Sequence, residues 1–245
     1  MARAALLAPL LSCLLAVTAM AMANRAAAAT PLADRCESWQ SGSHASQRTD
    51  VKVDVFDNGY RIDNSLPYRT LTRMKRAAAD GGFVLGLTRA ESRVAVSVEG
   101  TIIGDPATGT ECLRPLVNVS LSYEPIVIYV GREFEPGSCA YREILAHEMR
   151  HLKAYVDYLP KVESRVLDRM AQRFDWRPVV APKGQALRRV QQELDRTWMP
   201  FLKREMAAAK ARQAAIDSPK EYARLGKVCR GEVQSLIGST RRSKS

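Results

Sequence analysis

The sequence has few aromatic residues, few histidines and, after its first two dozen residues, no long apolar run. None of its later segments approaches the ~18 apolar residues that a membrane-spanning helix needs. Aromatic residues make up 7% of the chain and do not interleave with the basic ones, which argues against nucleic-acid binding. Only three histidines are present, so two of them at the spacing of metal ligands would be a rare coincidence.

Two of the histidines do have that spacing. His147, Glu148 and His151 form an H-E-x-x-H motif inside the apolar-periodic segment 140–159. On a helix, residues four apart lie on one face, so both imidazoles can reach one ion while Glu148 lies beside them. The motif therefore predicts a catalytic zinc site.

The motif assigns a role to each of its residues. Catalytic zinc takes three protein ligands and leaves one position for a water, whose pKa it lowers toward neutrality. We expect His147 and His151 to be two of the ligands. Glu148 would be the general base that takes a proton from the water and passes it to the leaving amine. The alternative is a helix whose histidines and glutamate only face solvent or satisfy core hydrogen bonds, and it requires three unrelated coincidences.

The third ligand is expected to be a carboxylate, because no histidine follows the motif. The segment 216–222 offers the best cluster. In it we favour Glu221, with Asp217 as its neighbouring alternative and Tyr222 available to stabilise an oxyanion. Ser218 and Glu221 also have the spacing of a helix capping box, which gives Glu221 a structural alternative. The other carboxylates that remain open are Asp157, Glu163 and Glu193.

The first residues are typical of an export signal. Arg3 precedes an apolar stretch that ends in small residues. This pattern predicts a signal peptide over residues 1–23, cleaved after Ala23 or, alternatively, after Ala29. We therefore expect a periplasmic or secreted protein.

Cysteine is scarce, and its number supports export. Cys13 falls inside the predicted signal peptide; its lipidation is the weaker alternative, because the apolar run before it is short and contains a proline. The remaining cysteines are Cys36, Cys112, Cys139 and Cys229. An even set in an oxidising compartment predicts two disulfides with three possible pairings. We favour Cys112 with Cys139 and Cys36 with Cys229, since the first bridge would clamp the strand region to the motif helix.

Acidic residues are outnumbered by basic ones, 26 to 37, for a net charge of +11. From Lys183 onward there are fifteen basic and six acidic residues, so most of the excess lies in the last quarter. Such a segment can lie on an anionic envelope surface or partner. It is equally typical of a solvated helix face.

Hydrophobic periodicity predicts an α+β fold, in which an N-terminal mixed or antiparallel sheet precedes the motif helix and a helical segment follows. Val51, Val53 and Val55 alternate with polar residues and are expected to form a hairpin through the turn at 57–59. Further strands are expected near residues 94–98, 101–103, 116–121 and 126–130. The predicted organisation is a flexible lead-in over 24–49, a catalytic core over 50–180, a basic helical segment over 181–238 that packs on the core, and a frayed tail over 239–245.

The motif at residues 147–151 resembles that of the zincin metallopeptidases, in which it marks zinc binding and peptide-bond hydrolysis. The wider layout is similar to that of a family of bacterial predicted secreted zinc-dependent proteases: an exported chain, strands, a cysteine near the motif and a late aspartate-containing segment. The resemblance implies Zn²⁺ as cofactor and a peptide or protein as substrate. Its specific part covers about twenty residues around the motif, and the chain departs from the pattern by lacking a downstream histidine.

These observations favour an exported zinc metallopeptidase in which Glu148 is the general base. The runner-up is a non-enzymatic envelope protein with a structural metal site, whose basic helices dock on an anionic surface. A metal-dependent amidase that acts on cell-wall peptides is a third hypothesis. We expect no nucleic-acid partner.

Overall fold

The structure is a computed structural model that describes residues 32, 34–36, 50–75 and 82–242. The predicted signal peptide and most of the predicted lead-in lie outside these residues. The described strands are β1 (Val51–Phe56), β2 (Arg61–Asp63), β3 (Gly86–Asp105), β4 (Thr110–Val130) and β5 (Val179–Pro182).

Strand β4 is the centre of this five-stranded mixed sheet. Strand β3 runs antiparallel to it along its whole length. On the opposite side of β4 lie β1 and β2, which are parallel to it, and β5, which is antiparallel. Alternating residues of β4, among them Val117, Val119 and Leu121, are buried, as expected for a sheet with one covered face.

The predicted hairpin between β1 and β2 is wrong. Both strands pair with β4 instead, Val53 opposite Val119 and Ile62 opposite Ile128. The turn itself forms, since the Gly59 N–H donates to the Asp57 carboxylate at 3.0 Å and Gly59 has a φ of 73°. After the turn, the chain continues in the same direction beside β4, because β4 is long enough to pair with both short strands.

The strands expected to be separate are continuous. Residues 94–98 and 101–103 belong to β3, and residues 116–121 and 126–130 belong to β4. The pairing shifts register between Ala90 and Ser92, and the ladder skips Glu124 and Pro125 opposite them. This irregularity accommodates the proline, which has no N–H to donate. Strand β5 is not among the strands that the sequence predicted.

Most of the described helices follow β4 in the chain, with β5 between two of them, and one short helix lies between β2 and β3. Their bounds are α1 (Tyr68–Met74), α2 (Cys139–Val156), α3 (Leu159–Phe174), α4 (Ala186–Glu193), α5 (Met199–Ala207), α6 (Lys210–Ile216), α7 (Pro219–Lys227) and α8 (Glu232–Arg242). A π-helical turn, Leu194–Trp198, joins α4 to α5. Helix α8 includes residues 239–242, where we expected a frayed tail.

Local sequence explains where the motif helix begins and ends. Ser138 caps α2, and its hydroxyl accepts the Tyr141 N–H at 3.1 Å. Helix α2 ends at Val156, and Pro160 lies in the first turn of α3, where its missing N–H has no helical partner to lose. The helix that carries the motif therefore has the extent that the periodicity predicted, within three residues.

The main core lies between one face of the sheet and helices α2 to α5. It includes Leu121 and Ile128 of β4, Leu152 of α2, Met170 of α3 and Leu202 of α5. The described part of the chain is thus α+β, with a mixed sheet and helices toward the C-terminus, which confirms the predicted fold class. None of the described helices is long and apolar enough to cross a membrane.

Two disulfides are present, but the favoured pairing is wrong. Cys36 pairs with Cys112, and Cys139 pairs with Cys229. Cys112 lies on β4 in a small cluster with Leu32, whereas Cys139 is the first residue of α2 and faces the C-terminal helices. The bridge at Cys139 therefore joins the motif helix to the C-terminal helices rather than to the sheet. Two disulfides are compatible with an oxidising compartment.

Candidate functional site

Helix α2 presents the motif residues to the interior of the protein. His147, Glu148 and His151 are only 4%, 4% and 6% exposed, although all three are polar. Ile144, three residues before His147, and Leu152, directly after His151, anchor the same helix in two separate clusters of buried apolar residues. Buried polar groups require partners, so the contacts of these three side chains indicate what the site can bind.

The two histidines meet each other and one carboxylate. Their Nε2 atoms are 3.2 Å apart. Asp217, the last residue before the cap of α7, places Oδ1 at 3.2 Å from Nε2 of His147 and 3.1 Å from Nε2 of His151. The three atoms form a nearly equilateral triangle. Among the described residues, this trio is one of two groups of three that could hold a metal ion. The other group contains the bridged Cys139 and Cys229.

Each ring has a partner for its other nitrogen. Nδ1 of His151 lies 2.6 Å from the side-chain oxygen of Gln213, and Nδ1 of His147 lies 3.3 Å from Oε1 of Glu221. Both partners can accept a hydrogen bond from Nδ1, an arrangement that leaves each Nε2 lone pair facing the triangle. Arg150, a donor that is paired with Glu221, also lies 2.9 Å from Nδ1 of His147, and this contact suits the opposite tautomer of that ring.

The donor set fits a zinc ion. Tetrahedral zinc with bonds of ~2.0–2.1 Å separates its ligand atoms by about 3.3–3.4 Å, close to the 3.1–3.2 Å sides of the triangle. Two imidazole nitrogens and one carboxylate oxygen are a known catalytic zinc set. Without a cation, three electron pairs would converge here.

Glu148 lies in a tight pocket beside the histidines. The hydroxyl of Thr88 in β3 donates to Oε2 of Glu148 at 2.9 Å. It also lies 3.0 Å from the backbone oxygen of Glu148. Burial raises the pKa of Glu148, and the nearby His151 and His147 oppose this shift in part. A carboxylate with a raised pKa is a stronger base at neutral pH.

Gly86 makes room for Glu148. A Cβ atom at this position would lie 2.7 Å from Cγ and Oε1 of Glu148 and 2.8 Å from Ile144. Only glycine allows the strand to approach helix α2 this closely. The first residue of β3 therefore fixes the position of the candidate base.

Asp217 has different partners on its two oxygens. Oδ1 faces the histidines, while Oδ2 accepts a hydrogen bond from Nζ of Lys75 at 2.6 Å. Burial alone would raise the pKa of Asp217, but the hydrogen bond from the Lys75 ammonium and the close contacts with the rings of His147 and His151 hold it well below its usual range. The side chain is therefore a carboxylate at neutral pH, as a metal ligand must be.

Glu221, the favoured third ligand, does not join the triangle. It contacts Nδ1 of His147, on the side of the ring that faces away from Asp217. Its carboxylate pairs with Arg150 and Arg224, and the hydrogen bond from Arg224 is the main cause that lowers its pKa to about 2. Ser218 caps α7 and accepts the Glu221 N–H, so the capping alternative is present as well. Asp217, and not Glu221, occupies the position that a third ligand requires.

The remaining carboxylate candidates lie elsewhere. Asp157 caps the end of α2 and pairs with Lys153 at 2.9 Å. Glu193 binds Arg173 through both oxygens, at 2.8 and 2.6 Å. Glu163 lies on α3 and belongs to neither candidate metal group.

A small cleft gives access to the site. Its lining combines polar groups with an apolar wall: Lys75, Val84, Leu85, Gly86, Ile144, His147, Glu148, Asp217, Tyr222 and Leu225. Tyr222 is 44% exposed, and its ring lies 6.3 Å from that of His147. The candidate base, one imidazole and the tyrosine hydroxyl thus border the same space.

No protein-family model, curated protein or solved structure matches this chain.

Several residues of the site were not predicted from the sequence. Gln213 precedes Asp217 by four residues, one helical turn, and this spacing could have indicated a shared role. Gly86 begins a strand pattern, where an isolated glycine often marks a close approach. Nothing local distinguishes Lys75 or Thr88, because their contacts depend on the tertiary fold.

Proposed function

We propose that this protein is an exported zinc-dependent metallopeptidase of the zincin type. The observation that carries the proposal is the triangle of His147 Nε2, His151 Nε2 and Asp217 Oδ1, with sides of 3.1–3.2 Å, beside the buried Glu148. Export, to the periplasm or the medium, is supported by the signal-like N-terminal sequence and by the two disulfides.

The three ligands would hold zinc through two neutral imidazoles and one carboxylate. When bound, zinc supplies Lewis acidity, which polarises a carbonyl and lowers the pKa of a coordinated water toward neutrality. Gln213 and Glu221 can accept from the Nδ1–H tautomers, an arrangement in which both Nε2 lone pairs stay directed at the ion.

Glu148 would transfer the protons. Thr88 occupies Oε2, so we assign proton transfer to Oε1, which accepts a proton from the attacking water and returns it to the leaving amine. The raised pKa of Glu148 suits both steps, because the group must be a base first and an acid second. Tyr222 borders the cleft and can donate its hydroxyl proton to the oxyanion of the substrate.

The first experiment measures metal and turnover separately. Purified mature protein is expected to contain about one zinc per chain. His147→Ala should lose it, and Asp217→Asn, whose neutral amide oxygen is a weaker ligand, should bind it with a much lower but measurable affinity. Glu148→Gln should keep the zinc and lose peptide hydrolysis. Asp157→Asn, which changes a carboxylate on the same helix outside the triangle, should keep both. A wild-type protein that binds no zinc would refute the proposal.

Two alternatives differ in the outcome of the same experiment. Zinc binding without hydrolysis of a diverse peptide library would favour a non-enzymatic envelope protein with a structural metal. Hydrolysis confined to cell-wall peptides would favour an amidase with the same chemistry. The buried glutamate beside the triangle favours an enzyme, because a structural zinc site has no use for a base next to its ligands.

A further inference from the structure

Among the described residues that line the cleft, Lys75 is the one lysine. Its Nζ atom lies 2.6 Å from Oδ2 of Asp217 and 3.5 Å from the hydroxyl of Tyr222. Its side chain is one-third exposed, so the ion pair with Asp217 is partly shielded from solvent. A shielded ammonium between a candidate ligand and a candidate oxyanion donor can influence both groups.

Helix α1 holds Lys75 in a defined position. Tyr68 and Leu71 of this helix are fully buried. Thr72 donates its hydroxyl proton to the Tyr68 carbonyl and accepts the Val84 N–H, both at 2.9 Å, which ties α1 to the segment that enters β3. Lys75 caps the end of α1, so its ammonium extends from a fixed support rather than from a mobile loop.

The ammonium contacts the oxygen of Asp217 that does not face the histidines. Asp217 lies in a short turn between α6 and α7, where its backbone leaves the helical conformation with a ψ of 46°. Rotation of its carboxyl group would exchange the two oxygens or turn both away from the rings. The contact of Oδ2 with Lys75 opposes that rotation, because a charge-assisted hydrogen bond would have to break.

We propose that Lys75 is a positioning residue of the candidate metal centre, which holds Asp217 with one oxygen toward the two imidazoles and Tyr222 with its hydroxyl at the cleft. This inference rests on the proposed zinc site and goes beyond it, because Lys75 belongs to no metal-binding motif and lies 142 residues from Asp217 in the chain. Groups that orient a metal ligand typically contribute 10–100-fold to metal affinity.

The test is the zinc affinity of the full mature chain, measured by competition with a chromophoric chelator. Lys75→Met is expected to weaken zinc binding by about 10–100-fold, and Lys75→Arg, which keeps the charge, by less. Lys153→Met, which removes an exposed lysine of the motif helix, is the matched control and should bind like the wild type. Thermal unfolding of the metal-free variants shows whether each one folds.

A double-mutant cycle distinguishes positioning from a general structural role. In an Asp217→Asn background, Lys75→Met should cause no further loss of zinc affinity, because the ammonium no longer has a carboxylate to hold. Two outcomes would overturn the role of Lys75 and leave the zinc site standing. One is that Lys75→Met binds zinc as tightly as the wild type, and the other is that Lys75→Met weakens zinc binding equally in the wild-type and Asp217→Asn backgrounds. If Lys75→Met does not fold, a Lys75→Arg variant that binds no better than Asp217→Asn overturns it. A wild type that binds no zinc overturns both proposals.

Discussion

At the scale of single residues, the position of Glu148 depends on the absence of a side chain at Gly86. We expect Gly86→Ala to displace Glu148, because the new methyl group would lie 2.7 Å from its Cγ and Oε1 atoms. Peptide hydrolysis should fall by about 10–100-fold while zinc remains bound, since a shift near 1 Å at a catalytic group has such an effect. Urea unfolding should show a loss of roughly 1–3 kcal/mol.

Gly104→Ala is the control for this substitution. Gly104 lies in the same strand, and a Cβ there would meet no atom within 4 Å. Its activity and stability should stay close to those of the wild type. Undiminished hydrolysis by Gly86→Ala would show that Glu148 can move without effect and is not the base.

The same scale shows what the sequence can predict about a site. His147, Glu148 and His151 were identified because one helical turn relates them, and helix geometry is local. The choice between Asp217 and Glu221 was not local: they lie four residues apart on either side of the Ser218 cap, and only the tertiary packing of this segment against α2 decides which one faces the Nε2 atoms. The sequence identified the segment but gave no basis for ranking its two carboxylates by direction.

At the scale of elements, the disulfide between Cys139 and Cys229 joins the start of α2 to the turn that follows α7, and both of these helices border the site. Replacing both cysteines with serine should lower the free energy of unfolding by ~2–4 kcal/mol. It should also weaken zinc binding, because Asp217 precedes α7 and would be held less firmly against α2.

The second disulfide provides the matched control. Cys36 and Cys112 close a loop of similar length, 76 residues against 90, but lie away from the site. Their replacement should reduce stability while the zinc dissociation constant, measured on the folded fraction, stays unchanged. Equal effects of the two replacements on zinc affinity would mean that the bridge at Cys139 has no special relation to the site.

A buried carboxylate links another pair of elements. Glu111 of β4 accepts the Gly184 and Ala186 N–H groups at 2.7 and 2.8 Å, at the start of α4. These hydrogen bonds lower the pKa of Glu111 below its usual value. A carboxylate at a helix N-terminus is also favoured by the helix dipole.

The sign of the pH dependence follows from the lowered pKa. The folded state favours the charged form of Glu111. The resulting stabilisation of the folded protein is complete above the unfolded-state pKa of ~4.3, and it disappears as the pH falls through the lower folded-state pKa. We expect Glu111→Gln to be less stable than the wild type at pH 7, with the difference shrinking below pH ~4 in urea titrations. Glu99→Gln, at an exposed position of β3, should show no such convergence. A constant difference across this range would contradict the assignment.

The elements also show where sequence periodicity is insufficient. Alternating valines correctly indicated that β1 is a strand, and the turn at residues 57–59 formed as expected. Pairing was mispredicted because β4, 21 residues long, provides a partner for β1 and β2 at once. Cysteine pairing failed for the same reason, since it depends on which elements meet in space.

At the scale of the whole molecule, the candidate ligands come from two distant parts of the chain. His147 and His151 belong to α2, whereas Asp217 lies 66 residues beyond His151, between two C-terminal helices. A bound ion would therefore tie the motif helix to the C-terminal helices. Any ligand that binds only the folded state stabilises it by an amount set by its concentration relative to the dissociation constant.

This linkage predicts a metal-dependent melting temperature. Zinc at a hundred times its dissociation constant should add ~2.7 kcal/mol, which corresponds to roughly 5–10 °C for a chain of this size. Removal of zinc with a chelator should reverse the shift, and Mg²⁺, which prefers oxygen ligands and six-fold geometry, should not reproduce it. At the same zinc concentration, His147→Ala should abolish the shift and Asp217→Asn should greatly reduce it, because the ion then loses a ligand from one of the two parts that it joins. A shift of undiminished size in both variants would place the stabilising metal at some other site, away from the buried Glu148.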